Sequence, residues 1–393
     1  MGGDVWDGIP ADVFYEILLR IPPCPRRRLR LVCRHWRGVI DERAPGQRSR
    51  PKVLAFFGER RGGSRAVVFD DDALPGGGKK KKNGCGVREL DLKGSGADAA
   101  GVRMIGTYNG LICVLRESGG NVAVLNAAVR EMVDALPPHT WPGLLDASTY
   151  TFGYHAETGQ YKVVHVPCDL RSAELAAVYV FTLGAGGAGA ASWKEVAAPA
   201  GSGCRLRFGL VTIGGVAYWV TKDAAPIVAF DLGDETFAPL EWPPMPVLLR
   251  MDDGHTHTCH LTEVRGRLGL VVRRANHEPR RPKTTEVWVL EGESEEERAW
   301  VKSFTVEAQG EARRQEIALP HVAHGKHVLT TSQQRRDGVL WLTLNAHRLR
   351  GERKLRCDVA RVGATSAETR LGEYDCPSIR TFAYVETREP VVW

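Results

Sequence analysis

A chain of 393 residues with 43% hydrophobic and 25% charged residues falls among globular proteins, not disordered or fibrous ones, and is long enough for one large β domain plus a small module. The formal net charge of +6 is too mild for nucleic-acid binding as a primary role, although the first fifty residues set ten Arg against six Asp and Glu. The 43 Gly and 22 Pro imply many turns, which suits a β-rich chain better than a helical bundle.

The N-terminal MGGDVWDG is acidic and lacks the apolar core of a secretory signal. It opens like a myristoylation site, but Trp6 stands where Ser or Thr is wanted. The longest apolar run, GLVTIGGVAYWV, is too short to span a bilayer, so no membrane role is expected. Nine Cys, an odd number with no C-x-x-C pair, read as thiols of a reducing compartment, hence a cytoplasmic or nuclear location.

The first periodic segment is IPADVFYEILLRI. Val13 and Ile17, Phe14 and Leu18 fall four apart, and Ile21 follows one turn later, which predicts a helix with one apolar face. Asp12 in its first turn suits the helix dipole, and Pro22, Pro23 and Pro25 end it. In RRRLRLVCRHWRGVID the apolar positions Leu29, Val32, Cys33, Trp36, Val39 and Ile40 recur at spacings of three and four. Arg26, Arg27, Arg30, Arg34 and Arg37 take the opposite face. A module of about fifty residues cannot bury both faces of such helices by itself, so an apolar side is left for a partner or for the following domain.

These residues carry a resemblance. Ile9-Pro10, Asp12, Glu16-Ile17-Leu18 and Ile21-Pro22, followed by Leu29-Arg30, Val32-Cys33, Trp36 and Val39-Ile40, look like an F-box, with the internal spacing kept without insertion. The resemblance implies a short all-α module that binds the SKP-family linker of SCF-type cullin–RING ligases. It implies that Ile9, Pro10, Ile17, Leu18, Ile21, Pro22, Leu29, Val32, Cys33, Trp36 and Ile40 build the module's core and linker-facing surface. Arg26-Arg27 depart from the Leu-Leu that many members carry there, which weakens the linker contact if these positions face it.

Residues 1–45 are therefore assigned to the F-box and 46–102 to a partly flexible linker and loop. The latter contains DDDALPGGGKKKKNGCG, which reads as a solvated loop. Within it, Lys79 to Lys82 admit a nuclear-import patch or a plain solvated loop tip.

From 103 to 393, short runs rich in Val, Ile, Tyr, Phe and Trp alternate with turn residues: MIGTYNGLICVL, NVAVLN, YKVVHV, AAVYVFTL, GLVTIGGVAYWV, PIVAFDL, GLVVRR, TEVWVLE, AWVKSFTV, VLWLTLN and IRTFAYVE. Asn109-Gly110, Gly214-Gly215 and Asp337-Gly338 are expected to make tight hairpin turns. A loose repeat pairs Gly214-Gly-Val-x-Tyr-Trp-Val with Ile227-Val-Ala-Phe-Asp-Leu and Phe237, echoed around Asn109, Tyr179 and Val287, and its spacing suits four-stranded propeller blades. The fold class expected is thus α+β multidomain, a small all-α module before a large all-β, propeller-like domain.

This second half resembles the plant F-box-associated domain, a kelch-like propeller relative. The matching pieces are Gly106-Thr-Tyr-Asn-Gly-Leu-Ile-Cys113, Phe152-Gly-Tyr154 with Thr158-Gly-x-Tyr161-Lys162, and the Gly214–Trp219 unit with Phe230-Asp231. Phe382-Ala-Tyr384-Val-Glu386 looks like a terminal closing strand. Together the two resemblances imply a non-catalytic substrate receptor of a ubiquitin ligase, with an SKP-family linker and an unknown target protein as partners and no cofactor. The competing reading is a stand-alone protein- or glycan-binding propeller with a degenerate F-box.

Two histidine clusters resemble metal sites in composition, but a plainer structural reading fits each better. His255, His257 and Cys259 share one face of a strand, which reads more simply as a polar strand. His321, His324 and His327 recur at three, but Pro320 and Gly325 argue against a helix there. No hydrolase elbow, P-loop or Rossmann fingerprint occurs, and Cys33 inside the F-box pattern reads as core.

Overall fold

The computed structural model describes residues 52–58, 64–70, 87–92, 101–117, 120–128, 131–135, 149–167, 174–183, 193–204, 208–221, 226–243, 257–274, 284–292, 297–307, 314–336, 339–348, 361–362, 368–375 and 378–386, with Val13 and Trp36 from the N-terminal segment.

These residues form six antiparallel blades. Blade 1 runs, from inside outward, β26 (Ser378–Tyr384), β1 (Lys52–Gly58), β2 (Ser64–Phe69) and β3 (Val87–Leu90). Blade 2 is β4 (Val102–Tyr108), β5 (Leu111–Arg116), β6 (Val122–Asn126) and β7 (Glu131–Ala135). Blade 3 is β8 (Tyr150–His155), β9 (Gln160–His165), β10 (Ala177–Thr182) and β11 (Lys194–Ala197). Blade 4 is β12 (Leu210–Ile213), β13 (Val216–Val220), β14 (Ile227–Asp231) and β15 (Phe237–Leu240). Blade 5 is β16 (His257–Val264), β17 (Arg267–Arg274), β18 (Thr284–Glu291) and β19 (Ala299–Glu307), with β24 (Arg361–Val362) added in parallel outside β19. Blade 6 is β21 (His321–His324), β22 (His327–Arg336), β23 (Val339–Arg348) and β25 (Glu368–Asp375), with β20 (Arg314–Ile317) pairing β22.

The inner strands touch in the order β26, β4, β8, β12, β16, β21 and back to β26, so the blades close into a ring. The expected propeller is present, and its terminal closing strand is the Phe382-containing β26, which pairs β1 through Lys52↔Tyr384 to Gly58↔Ser378. Closure joins residues more than 300 apart in the chain and covers the inner edge of β1.

Each blade buries both faces, which explains the uninterrupted apolar runs. In LICVLR of β5, Leu111, Cys113 and Leu115 pack toward blade 3, while Ile112 and Val114 pack toward blade 1. Successive strand side chains point to opposite faces, so one run feeds two cores. Among the described residues the apolar core divides into six clusters, one at each blade–blade interface. Side chains such as Leu115 and Phe230, essentially buried, each contribute about 1.5–3 kcal/mol. Trp219 is fully buried between blades 3 and 4, and its Nε1–H donates to the Ser202 carbonyl at 3.1 Å. Cys113, Cys204 and Cys259 are buried in these cores.

The expected turns at Asn109-Gly110 and Gly214-Gly215 join β4 to β5 and β12 to β13. All four residues have positive φ (49°, 88°, 60° and 84°), the conformation of a primed hairpin turn. Residues 337–338 lie outside the described residues. One expectation is corrected: the stretch 46–102 is not simply a linker, because Lys52–Gly58, Ser64–Phe69 and Val87–Leu90 are three strands of blade 1. Short apolar runs between Gly-, Asp- and Lys-rich connections concealed them, and their partner strand lies at the other end of the chain.

Candidate functional site

A propeller's binding surfaces are its two faces, and the chain's path says what lies on each. In blades 2 to 6 the turn between the first and second strands lies on one face: Asn109-Gly110, His155 to Gln160, Gly214-Gly215, Arg265-Gly266 and Gly325-Lys326. The end of β26 and the start of β1 meet on this same face. The described chain therefore enters the ring on this face, at Lys52. The connections from each outer strand to the next blade's inner strand run on the opposite face.

The start of β1 is pinned by charge. Lys52 Nζ lies 2.9 Å from Asp70 Oδ1 and 3.5 Å from Glu386 Oε2, and Arg88 Nη1 donates to Glu386 Oε1 at 2.9 Å. These exposed pairs are individually weak, but they tie β1, β2, β3 and the end of β26 together at the start of β1.

Next to it, on blades 2 and 3, aromatic rings gather at the turn face. Tyr108 and Tyr154 are half-buried, with ring centroids 5.8 Å apart, and Tyr154 lies 4.7 Å from Tyr161. The Asn109 Nδ2 group donates to the Tyr161 hydroxyl at 3.1 Å, locking the blade 2 turn to blade 3. On the far side of the ring, Arg265, Arg267 and Lys326 are exposed at the turns of blades 5 and 6.

Two buried polar clusters hold these turns. Lys162, in the otherwise apolar β9, has a side chain only 4% exposed; its Nζ donates to Glu235 Oε1 at 2.7 Å, and Lys194 reaches the other carboxylate oxygen. Glu235 sits in the β14–β15 turn with φ 57°, positioned by Asp231, whose Oδ1 accepts from the backbone N–H of Gly233 (2.7 Å) and Asp234 (3.0 Å). Burial pushes the Glu235 carboxyl up, but the two ammonium groups outweigh it and hold it below the usual carboxylate value. The second cluster centres on Glu263 of β16. It accepts from the Nδ1–H of His321 and, with its other oxygen, from the Gly266 backbone N–H. Burial raises its pKa, but His321, the Gly266 N–H and His324 together leave it lowered. Thr381 Oγ1 donates to the His321 carbonyl at 2.7 Å, so blades 5, 6 and 1 are knitted at the centre.

Of the residues singled out from sequence, Ile9, Pro10, Ile17, Leu18, Ile21, Pro22, Leu29, Val32, Cys33 and Ile40 lie outside the described residues, and Trp36 is half-buried. His255 is also outside them, and Cys259 packs in the core between blades 4 and 5. His321 and His324 are both buried in strand β21, with ring centroids 5.7 Å apart. Among the described residues no group of three His, Cys, Asp or Glu is placed to hold a metal. Sequence reading missed Lys162–Glu235 and Glu263–His321. A lone Lys inside YKVVHV was a visible signal that a buried carboxylate must lie opposite, but nothing local named the partner.

The fold and its pinned turns define a closed β-propeller with loops on two faces. A family model of the F-box associated beta propeller domain matches residues 79–350, and the chain belongs to that family. A model of the F-box domain matches residues 6–47. No curated protein matches the chain.

Proposed function

We propose that this chain is the substrate-receptor subunit of an SCF-type cullin–RING ubiquitin ligase. The observation that carries this reading is the order of the two matches: an F-box at 6–47, then a closed propeller whose first strand begins at Lys52. F-box modules generally bind SKP-family linkers. In this chain Ile17, Leu18, Ile21, Val32, Cys33 and Trp36 are the positions assigned to the module's core and linker contact. The propeller holds a target protein, and the chain performs no bond chemistry. It acts by proximity, raising the local concentration of target lysines near the ubiquitin-loaded partner.

The test is co-expression of the full chain with an SKP-family linker, beside the double variant Leu18→Asp/Trp36→Ala. The linker is expected to co-purify with the wild type and to be lost from the variant, while both keep the same β-sheet circular dichroism and thermal transition. A folded wild-type chain that retains no linker would instead support a free-standing binding propeller, with Arg26-Arg27 as the first residues to revert to Leu.

A further inference from the structure

We propose that His321 and His324, two buried side chains of β21, bind a divalent transition-metal ion of the zinc class, with Glu263 holding the first of them in place.

A bulge brings these residues together. In a regular strand, residues three apart point to opposite faces. Here β16 and β21 pair in parallel as Glu263↔His321 and then Val264↔Ala323, so β21 carries one extra residue, Val322, at this point. The extra residue resets the alternation. Val264, Val322 and Ala323 pack into the blade 5–blade 6 core. Outside that core, Glu263 meets His321, and the rings of His321 and His324 lie edge to face with centroids 5.7 Å apart. The argument from Pro320 and Gly325 against a helix holds, but a bulged strand achieves the same gathering.

The hydrogen bonds then choose the ligand atom. Nδ1 of His321 faces one Glu263 oxygen, and the other accepts from the Gly266 N–H. A carboxylate only accepts, so in the neutral ring Nδ1 carries the hydrogen and Nε2 is a bare lone pair. Nε2 has no hydrogen-bond partner, and His321 is only 4% exposed. An acceptor so deeply buried calls for a partner. A carboxylate behind one ring nitrogen is the arrangement that orients an imidazole toward a metal. Two imidazoles on one tetrahedral ion, each nitrogen about 2.0–2.1 Å from it, place their centroids roughly 5 Å apart, which a small rotation of the rings reaches. Imidazole suits zinc and its neighbours, whereas magnesium and calcium prefer oxygen. Glu263 is spent on orientation, so the ion takes two protein nitrogens and completes its shell with water. It would sit beside the seam where Thr381 of β26 bonds the His321 carbonyl, bracing ring closure. A buried water on Nε2 is the competing occupant, and the inference does not depend on the ligase reading.

The test titrates the reduced, metal-stripped full chain with Co2+ and then Zn2+. One equivalent of Co2+ is expected to develop a visible d–d band that Zn2+ removes, and Zn2+ is expected to raise the thermal midpoint. His321→Gln and His324→Gln should each lose both signals. Glu263→Gln should weaken Co2+ binding about tenfold or more, and His155→Gln, on the blade 3 turn, should match the wild type. Circular dichroism reports whether each variant folds. X-ray absorption of the Zn2+-loaded wild type needs no variant: it should show nitrogen and oxygen ligands with the outer-shell scattering of two imidazoles. A chain that takes up no ion, an ion held equally by both folded histidine variants, or a sulfur shell at about 2.3 Å from adventitious binding to cysteine overturns the inference.

Discussion

Replacing Glu235 with Ala is expected to destabilise the propeller by about 2–4 kcal/mol, a large effect for one side chain at a turn. The loss does not come from the Lys194 contact, because that lysine is 67% exposed and such pairs contribute little. It comes from Lys162, whose side chain is 4% exposed in the middle of β9 and would be left as a buried ammonium without its carboxylate. Glu235 itself lies at the edge of the ring, which places the cost below that of a fully interior pair. A second substitution separates the two contributions: adding Lys162→Met to Glu235→Ala removes the stranded charge and should recover most of the loss. Denaturant unfolding of the wild type, both singles and the double measures the coupling directly. A Glu235→Ala loss below about 0.5 kcal/mol, within the range of ordinary surface substitutions, contradicts this account.

Acid should weaken the ring before its carboxylates titrate. Burial pushes the His165 imidazole down to about 4, where it stacks on Tyr150 at 4.2 Å. His260 is likewise at about 4, through burial and secondarily the Arg380 charge, against a backbone hydrogen bond to Leu261 that works the other way. Both are held neutral in the folded state and bind protons more readily when unfolded. Their contribution is therefore fully present above the unfolded value of 6.5 and is lost as pH falls toward 4. At pH 5 each costs about 2 kcal/mol, so roughly 4 kcal/mol disappears between pH 8 and pH 5. Below 4.5 the lowered carboxyls of Glu235 and Glu263 add to the decline in the same direction. Thermal unfolding across this range checks it. His165→Phe, which keeps the stacking on Tyr150 without a titrating group, should flatten about half of the slope between pH 6.5 and 5. A midpoint that does not move over that interval rules the mechanism out.

The sequence made the blades legible where both faces of a strand are buried, as in LICVLR, AVYVFT and IVAFD, because an apolar run bounded by Gly and Asn has few other structures open to it. It hid strands that mix polar residues into the ladder. HVLTTSQQRR of β22 has no apolar alternation over most of its length, yet it pairs β23 through ten residues. Blade 1 was lost to the linker for a different reason. KVLAFFG and SRAVVF are strand-like, but their inner partner SIRTFAY is separated by the entire ring, and local pattern carries no information about that pairing. The same limit applied to the polar clusters. Lys162 and Glu235 are 73 residues apart and Glu263 and His321 are 58 apart; only the packing of neighbouring blades brings them together. The F-box was readable because its positions lie within about thirty contiguous residues, where spacing alone carries the pattern.

The most direct measurement of the central claim is assembly. The purified full chain, an SKP-family linker and a cullin–RING scaffold are mixed pairwise and together and resolved by size-exclusion chromatography with mass detection. The account predicts that the chain enters the cullin complex only when the linker is present, at one copy per scaffold, and that Leu18→Asp/Trp36→Ala remains outside it although its propeller is folded. A folded wild-type chain that elutes apart from the linker–cullin pair under the same conditions would contradict the receptor role.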